Sequence, residues 1–242
     1  MSSISSTEVA HGALAAAKEF AAELTDTVQA VLPHSPVFQA MLVAPPHVQI
    51  SVFDTEQKID RLPLFIRDKH VADWKLTMSV NFDSSGSYLK VMRSGFTLLA
   101  SADKVPLVRY EFDDNMHTAP IAHWQFHAER GAFSHLLGFA LAAGKDVKPH
   151  SLSSLHFPVG GARMRPGIDD LLEFLAKECA FDTVGGWKGA ILESRARYRT
   201  IQARTIARDM QSEVADVLRG EGWSVEPPGD IDGPGQKFLS RW

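Results

Sequence analysis

Apolar residues recur along this chain at two different periods, and the change of period divides it. Near the start, Leu14, Ala17, Ala21, Leu24, Val28 and Val31 follow one another at steps of three and four. That spacing lays one apolar stripe along a helix. Ser5-x-x-Glu8 has the capping-box spacing that opens such a helix, and Pro33 stops it. The stripe is expected to pack on the chain's own sheet. Beyond it the period drops to two. Trp74, Leu76, Met78, Val80 and Phe82 alternate with Lys75, Thr77, Ser79 and Asn81, which predicts a strand with one buried and one wet face. Gln39 to Val43 and Val48 to Phe53 read as two strands around a Pro45-Pro46 break, and Asp83-Ser84-Ser85-Gly86 reads as a turn. Ser87 to Arg93 resumes extended. Val105 to Phe112 places Val108, Tyr110 and Phe112 on one face and Arg109 and Glu111 on the other. Consecutive strands joined by short turns predict an antiparallel sheet.

The helical period returns late. Pro166 can open a helix whose Ile168, Leu171, Leu172 and Leu175 face one way, and Gly185-Gly186 breaks it. A longer helix is predicted from about Trp187 to Asp209, then a shorter one to Gly220. The expected fold is α+β: an antiparallel sheet of about six strands packed by an N-terminal helix, with a C-terminal helical subdomain. The division expected is 1–165 for helix and sheet, 166–225 for the helical part, and 226–242 for a flexible Pro/Gly-rich tail beginning at Pro227-Pro228-Gly229.

Composition narrows the class. With 242 residues, 45% hydrophobic, the chain can bury one substantial core. A net charge of −4 gives no overall cationic field of the kind that drives nucleic-acid binding, although a local basic face is compatible with it. One cysteine, Cys179, excludes an internal disulfide framework and fits a reducing compartment. The first twelve residues hold no Lys or Arg, and no apolar run approaches the ~20 residues of a membrane span. A cytoplasmic protein without membrane contact is expected.

Candidate chemistry gathers in one region, which holds six of the ten histidines: His117, His123, His127, His135, His150 and His156. His123-Trp124-Gln125-Phe126-His127 is open to two readings. As a helix it would stack His123 over His127 and suit a shared metal, but Trp124 stands where the zinc-protease pattern has glutamate. As a strand it puts Trp124 and Phe126 toward the core and His123, Gln125 and His127 on the open face. The strand reading is adopted, which separates the two histidines by about 13 Å at ~3.3 Å per residue, too far to share one zinc. An acid–base pair must then come from neighbouring strands. In Leu155-His156-Phe157 the imidazole again points away from the apolar pair, so His156 is the expected companion of His123 or His127. Two imidazoles with an arginine supply proton transfer and charge stabilisation. That suffices to cleave a phosphodiester through an attacking 2′-hydroxyl, with no metal or other cofactor.

From 83 to 127 the chain resembles the TumE-type toxins of bacterial toxin–antitoxin pairs. The residues that carry the resemblance are Asp83-Ser84-Ser85-Gly86-Ser87, Val108-Arg109-Tyr110-Glu111, Asp114-Asn115-Met116-His117 and His123 to His127. Glu111 stands where that family has aspartate, and Met116 where it has proline. The resemblance implies action on RNA, an antitoxin partner, and Arg109, His117, His123 and His127 as site residues.

Two basic features complete the reading. Gly160, Gly161, Arg163 and Arg165, just before Pro166, resemble an anion-binding loop and are expected to hold phosphate beside His156. Arg197, Arg204 and Arg208 fall on nearly one helical face, fit to contact RNA or a protein partner. The leading expectation is a metal-independent, toxin-like RNA-cleaving protein using His123, His127, His156, His117 and Arg109. The alternatives are an interaction protein docking through its N-terminal or Arg-rich helix, and a metal-dependent hydrolase.

Overall fold

The structure, a computed structural model, describes residues 6–44, 47–83, 86, 88–101, 105–127, 134, 137–138, 141–142, 144, 146, 148–151, 153, 156–159, 163–227 and 229. Among them, eight strands form one antiparallel sheet and four helices are named: β1 Gln39–Ala44, β2 His47–Ser51, β3 Leu62–Ile66, β4 Lys69–Phe82, β5 Leu89–Ala100, β6 Pro106–Asp113, β7 Ala122–Phe126 and β8 Phe157–Pro158, with α1 Ser6–Gln29, α2 Ile168–Lys177, α3 Trp187–Asp209 and α4 Gln211–Gly220. The α+β class, the antiparallel sheet, the N-terminal helix and the C-terminal helices stand as the periodicity implied. The sheet is wider than the six strands expected. The order is β1-β2-β4-β5-β6-β7-β8, and β3 joins β2 along the same edge of β4. Leu62 to Ile66 pair with the first half of β4, and Val48 to Ser51 with the second.

One face of this sheet carries the helices. The α1 stripe of Ala13, Ala17, Ala21, Leu24 and Val28 is at most 3% exposed and packs with Ile50, Trp74, Leu76 and Val80 in one core. Leu171, Leu172 and Leu175 of α2 and Ile191 of α3 join the same core. The N-terminal apolar seam therefore faces the chain's own sheet. Strand alternation sends the complementary residues to the other face. Two cross-strand rows lie there: Lys75, Thr97, Arg109 and Gln125, and Thr77, Gly95, Glu111 and His123. Among the described residues no helix is long and apolar enough to cross a membrane. The Pro45-Pro46 break, Ser5, His135, and residues 228 and 230–242 of the tail lie outside the described residues.

Candidate functional site

Strand β7 settles the ambiguity of the histidine stretch. Its five residues pair with β6 without a bulge, setting Glu111 opposite His123 and Arg109 opposite Gln125. Directly opposed residues have Cβ atoms about 5 Å apart, so each pair is in reach. On the far side of β7, Phe157 pairs with Trp124 and Pro158 with His123, which brings His156 opposite Gln125 as the register continues. The aromatic residues fix this arrangement from the helix-bearing face: Trp124 lies 5.0 Å from Tyr110 and Phe126 lies 5.4 Å from Phe157, ring to ring.

Three of the expected residues thus converge with two others. The His123 and His156 rings meet edge to face with centroids 4.5 Å apart. Nε2 of His156 is 2.9 Å from Nε2 of Gln125, which also donates to the Ser153 carbonyl at 3.1 Å. Nε2 of His123 is 3.7 Å from Oε2 of Glu111, longer than a hydrogen bond but close for opposite charges. Nδ1 of His123 is 2.7 Å from the Pro120 carbonyl. His123 is only 1% exposed, whereas Arg109, Glu111, Gln125, His127 and His156 are half-buried. Nε2 of His123, Oε1 of Gln125 and Nε2 of His127 are buried and without a hydrogen-bond partner among the described residues.

The electrostatics follow from this proximity. The His123 imidazole facing Glu111 holds its carboxyl below the usual carboxylate range, against the opposing effect of burial, and Arg109 adds to the lowering. Burial, then the neighbouring His123, pushes His156 below the ordinary imidazole range. Burial, then Arg109, does the same for His127. In both rings Glu111 works in the opposite direction. Acid and imidazoles thus constrain one another as a group.

The other expected site residues are placed elsewhere. His117 is exposed in the β6–β7 loop, with no hydrogen bond or ring contact to the other histidines among the described residues. His127 shares the face but lies just past the end of β7, its backbone N–H donating to the Leu107 carbonyl. The expected phosphate loop does not extend this site. Arg165 stacks at 4.1 Å on the ring of Phe112, a residue of the helix-bearing face, and Arg163 pairs with Asp209 of α3. Both therefore lie across the sheet from the imidazoles, bordering a cleft of about 350 Å³ with Asp170, Arg199 and Gln202. Gly160 and Gly161 lie outside the described residues. On α3, Arg197 donates to Thr27 of α1 and Arg208 stacks on Tyr88 in the β4–β5 turn, so both serve the fold, while Arg204 is exposed.

Sequence reading left Glu111 and Gln125 out of the site. The signal was present in part: Glu111 shares parity with Arg109, and Gln125 sits between two histidines on one face. No group of three or more His, Cys, Asp or Glu side chains among the described residues is arranged to hold a metal ion. Comparison of the chain with protein-family models, curated proteins and solved structures gives no match.

Proposed function

We propose that the protein cleaves RNA without a metal, in the manner of a toxin, through the imidazoles of His123 and His156 with Arg109 as the cation for phosphate. The observation that carries this reading is the 4.5 Å edge-to-face contact between two histidines from separate strands, with Glu111 and Arg109 on the same face. Imidazoles exchange protons near neutral pH, and a positioned acid–base group is worth roughly 10²–10⁴-fold in rate. The ribose 2′-hydroxyl is the nucleophile and the products are a 2′,3′-cyclic phosphate and a 5′-hydroxyl. The partner this reading calls for is a small DNA-binding antitoxin, encoded next to the gene.

The test is cleavage of defined single-stranded and hairpin RNAs by the purified, untagged chain in EDTA. The expected result is cleavage with cyclic-phosphate ends, reduced at least ~100-fold by His156→Ala. Absence of cleavage, dependence on added metal, or an unchanged His156→Ala rate overturns the proposal.

A further inference from the structure

We propose that Gln125 is a positioning residue that holds His156 as a neutral Nδ1–H donor and leaves proton uptake at this site to the His123–Glu111 pair. This assignment of roles rests on the acid–base reading above. It makes the two rings unequal, which their shared face does not disclose.

Which groups can donate decides both tautomers. A carbonyl oxygen accepts and cannot donate, so Nδ1 of His123, 2.7 Å from the Pro120 oxygen, must carry a hydrogen. In the neutral ring the lone pair is then on Nε2, which is buried, has no hydrogen-bond partner and faces the Glu111 carboxylate at 3.7 Å. The half-buried carboxylate is the part of this pair that a substrate can reach. For His156 the reference is Ser153. Its carbonyl lies 3.1 Å from the Gln125 amide, which requires the NH₂ group there, because the flipped amide would set two oxygens against each other. The same NH₂ is 2.9 Å from Nε2 of His156. A donor at that distance requires a lone pair on Nε2, so the ring's hydrogen is on Nδ1.

A neutral ring held this way is a poor acid, since loss of the Nδ1 hydrogen would leave an imidazolate. It is a good hydrogen-bond donor to an anionic oxygen, the role a neutral imidazole can fill as an electrophile. Burial and the adjacent His123 disfavour the charged form of His156, in the same direction as the Gln125 contact. In the reaction, the 2′-oxygen bonds to phosphorus as its proton passes to the His123–Glu111 pair at its accessible member, the half-buried Glu111 carboxylate. The P–O5′ bond breaks with its electron pair on O5′, which takes a proton from water. The hydroxide so formed recovers the proton from the His123–Glu111 pair. His156 Nδ1–H and Arg109 meet the phosphoryl oxygens.

The experiment is a two-bond ¹H–¹⁵N correlation spectrum of the full, uniformly labelled chain, with His123→Ala and His156→Ala spectra to assign the rings. The expected result is an Nδ1–H pattern for both His123 and His156. Gln125→Leu moves His156 toward the Nε2–H form, and the near-isosteric Gln125→Glu puts a hydrogen on Nε2 outright. Both variants lower kcat by about 100-fold with KM changed little, the scale of one lost transition-state donor. An Nε2–H signal for His156 in the unaltered chain, a tautomer indifferent to Gln125, or a shifted tautomer with unchanged kcat overturns the inference. The expected tautomers in a chain that cleaves no RNA would sink the reaction proposed above and leave the ring assignments standing.

Discussion

Replacing Arg195 with methionine removes the cation that compensates a fully buried acid. Arg195 reaches from α3 to the first turns of α2, with Nε 2.9 Å from Asp169 Oδ2 and Nη2 2.6 Å from Glu173 Oε2 and 3.4 Å from Asp170 Oδ1. The Asp169 side chain is 0% exposed, and its Oδ1 has no hydrogen-bond partner among the described residues. Breaking a buried pair from one side leaves a charge without compensation and costs roughly 3–5 kcal/mol. Arg195 is 26% exposed, which places this pair at the lower end, about 3 kcal/mol. Glu173 keeps Lys177 as a partner, so the loss concentrates on Asp169. Adding Asp169→Asn to Arg195→Met removes the stranded charge and should recover about 2 kcal/mol. Burial, then Asp170, already raises the Asp169 carboxyl, and Arg195 opposes that rise. A raised acid binds its proton in the folded chain at a pH where the unfolded chain has released it. Stability from this group therefore increases as pH falls through the folded value, and Arg195→Met strengthens that trend. Urea denaturation of the four chains of the cycle at pH 7 and pH 5 measures all three quantities. A loss of less than about 1 kcal/mol in Arg195→Met, a double variant no more stable than the single, or a single variant that gains nothing on acidification would each show that no buried charge is stranded.

Other substitutions separate fold from site. Oγ1 of buried Thr25 donates to the Ala21 carbonyl at 2.8 Å and accepts from the Phe38 N–H at 2.9 Å, tying α1 to the entry of β1. Thr25→Val strands that N–H and should cost about 1–3 kcal/mol by denaturation, while Thr25→Ser should stay near neutral. Arg163→Ala with Arg165→Ala, across the sheet from the imidazoles, should lower stability through the lost Asp209 pair and Phe112 stack but leave the RNA cleavage rate unchanged. A rate loss comparable to that of His156→Ala would place the anion-binding role back on that loop.

Much of the frame was legible because burial imposes it at short range. The α1 stripe and the alternation of β4 follow from which side of an element meets the core, while the start of α3 is marked by Gly185-Gly186, with Gly186 left-handed at its N-cap. What escaped has physical reasons. Leu62-Pro63-Leu64-Phe65-Ile66 shows no alternation, and its proline suits the edge position that β3 takes beside β4. Phe157–Pro158 is too short for any period to appear. The loop before α2 has the residue types of an anion site. Whether arginines stay free depends on Asp209 and Phe112, residues far along the chain whose proximity no local pattern encodes.

The site shows the same limit from the other side. Alternation assigns His123 and Gln125 to one face, but only register decides that Glu111 meets the first and His156 the second. A slip of one residue between β6 and β7 would turn the imidazoles to the helix-bearing face. That slip is opposed by packing on the far side, where Trp124 contacts Tyr110 at 5.0 Å and Phe96 at 6.4 Å, ring to ring. A misregistered strand would bury imidazoles in place of those rings and leave their nitrogens unpaired, at about 1–3 kcal/mol for each. The polar geometry is therefore a consequence of the apolar one. The aromatic face holds the register, and the register brings the two histidines within 4.5 Å.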